Sequence, residues 1–489
     1  MRQHFAKSVF KKIFTLGAVL IMSASSAFAR TSLYDTEQML PRDGESPKIS
    51  LNGPWKFKYV EGDLSGDDKN FHNPDFDSSK WKSITVPSNW ELQGFTESRA
   101  YGKKMKKGVG MYIKRIDIPS SWKDKDVFIT FDGVSNDCSL YVNGQKAGYY
   151  NSAFNRKTFN ITPYILLGKE NLLTVEVNTQ PRTYLFDSND DWALGGIHRD
   201  VTLFALPTTH MRDVAVNTSL NGKKADVDVA VSLVSPGSRK VSLSGILLDS
   251  QGRTVATADS AITLVAGSTT VPLNFSISNP LLWTAETPSL YTLALSLSDA
   301  DGLLQNRTDK IGIREITTDR GVLKINGSPV KLHGATHHDI SPIHGRSITE
   351  QEMKRDITLM KNANMNFLRT SHYPPNQRLL ELCDSMGMYV MDEVPYGFGE
   401  PLLSDESYLP ELLLRADLTL IRDKNHPSVI VWSVGNENPA TPIGLETGRY
   451  VHRLDPSRPY SFPQGPKDFI KMTDNMPDSL TMLSPHYPN

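Results

Sequence analysis

Cysteine is scarce, with two in 489 residues. That excludes a fold stapled by disulfides, which needs closely spaced pairs. An excess of charge of one sign is also missing. Lys and Arg number 53 against 54 Asp and Glu, a formal net charge of -1, with no basic block. The chain therefore lacks the electrostatic footprint of a nucleic-acid partner. No run reaches the roughly 18 uninterrupted apolar residues of a membrane span. Sustained helical periodicity is absent before about residue 317, which excludes an all-helical protein. What remains is ordinary globular composition, 39% hydrophobic and 22% charged with 33 Gly and 30 Pro, and a length that predicts about three domains.

The amino terminus has its own pattern. Arg2, Lys7, Lys11 and Lys12 precede a mostly apolar run, Ile13 to Met22, that is too short to cross a bilayer. Ala27-Phe28-Ala29 is a small-x-small cleavage site. Residues 1–29 therefore read as a signal peptide cut after Ala29, with no lipid-anchoring Cys behind the apolar run. The mature protein is expected to be exported, to the periplasm in the first instance, and to have no membrane contact after cleavage. Cys383 shares an apolar helical face with Leu379, Leu382 and Met386, so it reads as a small core residue and not as the bridge partner of Cys138.

Residues 30–207 break into short strand-like runs. Asp126 to Phe131 ends at Asp132-Gly133, and Leu140-Tyr141-Val142 enters Asn143-Gly144, a strong hairpin signal. The pattern predicts a jelly-roll β-sandwich. Residues 208–316 continue in strands about ten residues apart, such as Val214 to Leu220 before Asn221-Gly222, and predict an immunoglobulin-like sandwich. From residue 317 strands and helices alternate. Val330 to His333, Phe367 to Thr370, Met388 to Met391 and Val429 to Val434 read as strands, with helices from Thr349 (capped by Glu352 three residues on), Arg378 and Leu412. Such alternation predicts a parallel sheet closing as a (β/α)8 TIM barrel. A complete barrel takes about 250 residues, and only roughly six strands are countable in residues 317–489. The expectation is a multidomain chain ending in an incomplete TIM barrel.

Chemistry in such a barrel gathers at the strand C-termini. Here those ends carry His333 to Asp339, Arg369 to Pro374, Asp392-Glu393, Trp432 to Asn438, and Pro485 to Pro488. Acid, imidazole and phenol at five ends of one sheet form a site pattern. Glu437 follows an apolar strand and sits beside Asn436. Cleaving a glycosidic bond needs a carboxylic acid beside the leaving oxygen and a second carboxylate at the anomeric carbon. Glu437 suits the first role, and Asn436 suits donation to a sugar hydroxyl. A zinc cluster of His337, His338 and His344 with Asp339 fits no common ligand spacing.

Taken together, Val431-Trp432-Ser433-Val434-Gly435-Asn436-Glu437, Arg369-Thr370-Ser371-His372-Tyr373-Pro374 and Gly345 after Pro342-Ile343-His344 resemble glycoside hydrolase family 2, the β-galactosidase and β-glucuronidase family. Val86-Pro87-Ser88-Asn89-Trp90, Gly196 to Val201 and Pro280-Leu281-Leu282-Trp283 match its sandwiches. The resemblance spans essentially the whole mature chain. It implies a sugar-binding jelly roll, an immunoglobulin-like domain and a catalytic barrel, in that order.

By resemblance, Glu437 is the catalytic acid/base and Asn436 its neighbour holding the sugar 2-hydroxyl. His338 and His372 line the sugar, while Tyr487 and Arg369 flank the nucleophile. In the jelly-roll loop Asp187 to Trp192 the acids stand at an offset from the family's position, with Asp190 or Asp191 as the one to reach the sugar, and the aromatic face and N–H of Trp432 suit a wall of the sugar site. The family's nucleophilic Glu lies on a seventh strand that is absent from the sequence. The implied activity is therefore an exo-acting, retaining β-glycosidase on oligosaccharides, β-galactosidase-like, inactive or nearly so as this chain alone. A β-glucuronidase of the same family is the alternative, and a non-catalytic carbohydrate-binding remnant the second. The stretch after Asp392-Glu393 lacks the Glu-x-His pair that binds magnesium in many β-galactosidases, so no cofactor is assigned and magnesium stays open as an alternative without its usual ligand pair. The partner is a glycoside. Oligomeric state is not readable.

Overall fold

The structure is a computed structural model that describes residues 47–96, 100–101, 105–398 and 401–463, with Met482 and Ser484. The signal-peptide reading and Tyr487 lie outside the described residues. No described helix is long and apolar enough to cross a membrane.

The jelly roll packs a six-stranded antiparallel sheet against a four-stranded one. Alternation in Gly53–Glu61 turns Trp55 and Phe57 inward, where Phe57 stacks on Trp90 with ring centroids 5.8 Å apart. The expected hairpin forms between Cys138–Val142 and Gln145–Tyr150. Asn143 (φ 50°) and Gly144 (φ 82°) supply the left-handed pair its turn needs. In the second domain a three-stranded sheet (His210–Asn221, Lys224–Ser235, Gly267–Ser278) faces a four-stranded one (Thr254–Leu264, Arg239–Leu248, Tyr291–Asp299, Gly302–Ile311) over a Val- and Leu-rich core.

The third region is the barrel. Its strands are β1 (Gly334–His337), β2 (Phe367–Thr370), β3 (Tyr389–Gly397), β4 (Val429–Asn436) and β5 (Tyr460–Ser461). All pair in parallel and in chain order. An isolated parallel bridge joins Ser461 to Met482. Helices α1 (Glu350–Asn362), α2 (Gln377–Met386), α3 (Leu409–Asp423) and α4 (Pro442–Leu454) connect them. The first strand is displaced from the expected Val330–His333. Val330 and Leu332 instead pack with Leu323 and Ile325 of a small antiparallel sheet, and pairing begins at Gly334, where a Cβ would fall 1.7 Å from the Phe367 carbonyl oxygen. Only glycine admits that approach.

Helix α1 opens on the expected capping box. Glu352 N–H donates to Thr349 Oγ1 (3.3 Å), and Thr349 N–H donates to Glu352 Oε2 (2.8 Å). Thr349→Ala is expected to cost about 1 kcal/mol, read as a lower midpoint for barrel unfolding in a denaturant titration followed by circular dichroism. Both thiols are buried and free, Cys138 in the jelly-roll core and Cys383 in the barrel core.

Candidate active site at the barrel mouth

Strand alternation sorts the barrel residues into two faces. Leu368, Val394, Trp432 and Val434 point outward into the core shared with α2, α3 and α4. Arg369, Glu393 and Ser433 point inward and meet. Glu393 pairs in register with Ser433, and its carboxylate accepts Ser433 Oγ at 2.7 Å. It also accepts Arg369 Nε at 2.7 Å, Arg369 Nη2 at 2.6 Å and His372 Nδ1 at 2.9 Å. Glu393 has no exposed surface. Burial pushes its pKa up, but Arg369, His372 and the hydrogen bonds outweigh burial and hold it below the ordinary glutamate value.

Asp392 points the other way. Its burial and the charge of Asp423 push its pKa well up. Asp423 stays ionised on the Arg422 guanidinium, at 2.7 and 2.6 Å. The adjacent acids thus divide into a neutral one behind the barrel wall and an ionised one inside it.

Arg369 also donates to Asn436 Oδ1 at 2.8 Å. That fixes the amide flip and leaves the Asn436 NH2 group as the donor available to a ligand. The chain then turns sharply. Gly435 has φ 73°, and a Cβ there would sit 2.6 Å from Asn438 Nδ2 and 2.7 Å from the Tyr396 ring. Glu437, half-buried, is held at φ 48°. A glutamate in the left-handed region costs of order 1–3 kcal/mol, and such strain gathers at functional sites.

The opposite side of the mouth comes from β1, β2 and a jelly-roll loop. His338 and His372 stand edge to face, ring centroids 5.5 Å apart. Asp190 Oδ1 lies 3.9 Å from His338 Nε2 and 3.8 Å from His372 Nε2. The loop is anchored on both sides. Asp191 takes Arg346 Nη2 at 2.7 Å, and Asp187 takes both Arg415 amino groups at 2.7 Å. Burial raises the Asp191 pKa, but Arg346 and His338 bring it below normal. A third buried pair, Arg199 with Asp339 at 3.1 Å, and stacking of Phe154 on Tyr373 at 3.8 Å complete the seam between jelly roll and barrel.

The structure therefore brings Glu437, Asn436, Arg369, His338, His372 and Asp190 to one mouth. Trp432 is a correction. It is fully buried among the helices, its Nε1 donates to Asp455 Oδ2 at 2.8 Å, and it forms no wall of this mouth. Its neighbour Ser433 takes the inward position, so strand parity forces Trp432 out. His337 and His344 engage the α1 carboxylates Asp356 and Glu352 at 3.0 and 3.2 Å and do not cluster with His338. Sequence reasoning missed the central place of Glu393 and the roles of Ser433, Asp191 and Arg346. Inward parity shared with Arg369 was the signal for Glu393.

Three family descriptions match the chain in succession. "Glycosyl hydrolases family 2, sugar binding domain" covers residues 49–207, "Glycosyl hydrolases family 2" covers 209–314, and "Glycosyl hydrolases family 2, TIM barrel domain" covers 316–482. Among curated relatives, a β-galactosidase of Priestia megaterium is 34% identical over 456 residues, which is 85% of this chain and 44% of that protein. A β-galactosidase of Halalkalibacterium halodurans is 33% identical, over 84% of this chain and 43% of that protein. The chain thus spans less than half the length of these relatives. Among solved structures, a glycosyl hydrolase family 2 member from Bacteroides cellulosilyticus superposes with TM-score 0.75 at 26% identity, over 86% of this chain and 56% of that one. A Bacteroides uniformis β-glucuronidase superposes with TM-score 0.76 at 25% identity, over 88% of this chain and 54% of that one.

Proposed function

The chain belongs to glycosyl hydrolases family 2, and from that premise we propose that it carries the acid/base half of an exo-acting, retaining β-glycosidase. The observation that carries this reading is the end of β4. Glu437 stands beside an Asn436 whose amide is oriented by Arg369, itself fixed by buried Glu393. In the proposed reaction Glu437 protonates the leaving oxygen and later takes a proton from the attacking water. The Asn436 NH2 donates to the 2-hydroxyl. His372 Nδ1–H donates to the Glu393 carboxylate, so its Nε2 accepts from a sugar hydroxyl. Arg369 positions these groups and touches no reacting atom.

Glu393 is unsuited to be the nucleophile, since its oxygens are held by four donor contacts and have no access to a sugar. We place that role on the family's seventh strand, with Tyr487 beside it, and expect the 489-residue chain alone to give no turnover. Export to the periplasm, from the leader reading, belongs to the same proposal.

The preferred substrate is a β-galactoside. An exposed Asp190 carboxylate beside both histidines repels a uronate, although a β-glucuronidase is among the similar structures. In a longer chain that supplies the seventh-strand Glu, kcat/KM for an aryl β-galactoside is expected to exceed that for the glucuronide, and Asp190→Asn is expected to narrow the gap. Preference for the glucuronide would overturn the galactoside reading. No hydrolysis of either would support a binding remnant.

A further inference from the structure

We propose that the cavity where the three domains meet binds a small phosphate or sulfate ester, gripped by Arg156, Arg307 and Arg422. The cavity encloses about 630 Å³ and shares no lining residue with the barrel mouth. That volume falls in the range of small-molecule pockets and exceeds what a bare inorganic anion fills. Arg156 comes from the jelly roll, Arg307 from strand Gly302–Ile311 of the second domain, and Arg422 from α3. All three are more than nine-tenths buried.

The way these guanidiniums are used points to an anion. Each spends one edge on protein. Arg307 donates from Nε (2.5 Å) and Nη2 (3.0 Å) to Asp309. Arg422 donates from Nε and Nη2 to Asp423 at 2.7 and 2.6 Å. Arg156 donates from Nε to Asp132 Oδ1, and from Nη2 to Gln377 Oε1 at 2.7 Å. The three remaining Nη1 groups have no hydrogen-bond partner among the described residues, and none is sealed from solvent. Gln377, its Oε1 spent on Arg156, has a buried Nε2 that finds no acceptor.

The acceptors of the same wall are taken. Asp309 holds Arg307, and Asp213 holds Lys424. Asp384 accepts from Ser428 N–H at 3.0 Å and from His426 Nδ1 at 2.5 Å. Lys310 and Arg378 complete the cations and Glu381 the carboxylates, so formal charges nearly cancel. Open donors, and not net charge, therefore select the ligand. Guanidinium N–H groups match oxyanions. Three of them and an amide exceed the two oxygens of a carboxylate and suit the three free oxygens of a phosphate or sulfate ester. Val214, Leu290 and Ile421 offer the body of the ester an apolar wall. A ligand held from three domains binds only the folded, docked chain, so it raises the melting temperature. The inference needs no glycosidase activity, so its test stands apart from that reading.

The 489-residue chain is titrated calorimetrically with glucose 6-phosphate and glucose 6-sulfate. Glucose, inorganic phosphate and chloride at matched ionic strength are the comparisons. One equivalent of at least one ester is expected to bind, more tightly than any comparison, and to raise the melting temperature. Arg156→Lys keeps a cation on Asp132 and loses the fork, so it should weaken binding about 10–100-fold, the worth of one hydrogen bond to a charged group. The Arg307→Gln, Asp309→Asn double variant removes a whole pair, strands no charge and should weaken binding as much. Arg253→Gln, on an exposed turn of the second domain, should leave it unchanged. Absence of saturable binding by either ester would overturn the proposal. So would equal affinity for glucose or inorganic phosphate, or an equal response to chloride. Unchanged affinity in both site variants, each melting like wild type, would place the ester elsewhere and is equally fatal. If a variant fails to fold, Gln377→Glu decides the matter. It keeps an acceptor for Arg156, sets a carboxylate where the amide donor stood, and should weaken binding about 10-fold or more; unchanged affinity there sinks the site.

Discussion

Replacing Glu437 by Gln in a longer chain that carries the seventh-strand carboxylate is expected to cut kcat on aryl β-galactosides by about 10²–10⁴-fold, the range a positioned general acid/base contributes. Gln keeps the size of the side chain, so the left-handed turn at φ 48° is preserved and the melting temperature should not move. The loss should follow the leaving group. A poorly acidic alcohol needs the proton from residue 437, whereas a strongly acidic phenol leaves without it. The variant should therefore retain the first step on activated substrates and stall at the second, where the same residue deprotonates water. Added azide, a nucleophile that needs no general base, should release the stalled enzyme as a glycosyl azide. An equal loss across all leaving groups with no azide effect would remove Glu437 from the acid/base role. Unchanged kinetics would remove it from the site.

The outline of this mouth was readable because barrel strands end in short polar clusters at regular intervals. Glu437 and Asn436 followed from an apolar strand that terminates in an amide and an acid. The capping box at Thr349 and the Asn143-Gly144 hairpin are local signals, and local signals survive folding. Two things were not local. The first is parity. Asp392 and Glu393 are adjacent in sequence, and only the register of β3 against β4 decides that Glu393 meets Ser433 inside while Asp392 faces the helices. The same parity sends Trp432 out to Asp455. The second is the seam between domains. Asp187 and Asp191 pair with Arg415 and Arg346, residues more than 150 positions away. Nothing in a run of loop acids distinguishes such anchors from solvated charges. Those pairs set Asp190 over the histidines, so part of the candidate site depends on contacts that no short window contains.

Arg369→Met is expected to destabilise the barrel by about 3–5 kcal/mol, because it leaves the carboxylate of Glu393 buried without its cation. The pH dependence separates this cause from simple loss of packing. In the wild-type chain the folded-state pKa of Glu393 lies below 4.5. Its ion pair therefore contributes stability above that pH, and the contribution is lost as pH falls through the lower folded value. Without Arg369 the balance reverses, since burial, the largest influence on this group, raises its pKa. The variant's folded state then favours a protonated Glu393, and acid relieves its defect. The gap in melting temperature between wild type and variant should be wide at pH 7 and shrink toward pH 4. Adding Glu393→Gln to Arg369→Met removes the stranded charge and should recover part of the loss. Arg369→Met also frees the Asn436 amide to rotate, so the double variant should regain stability without regaining catalysis. A gap independent of pH, together with no recovery in the double variant, would mean that Arg369 acts through packing alone and that Glu393 does not organise this site.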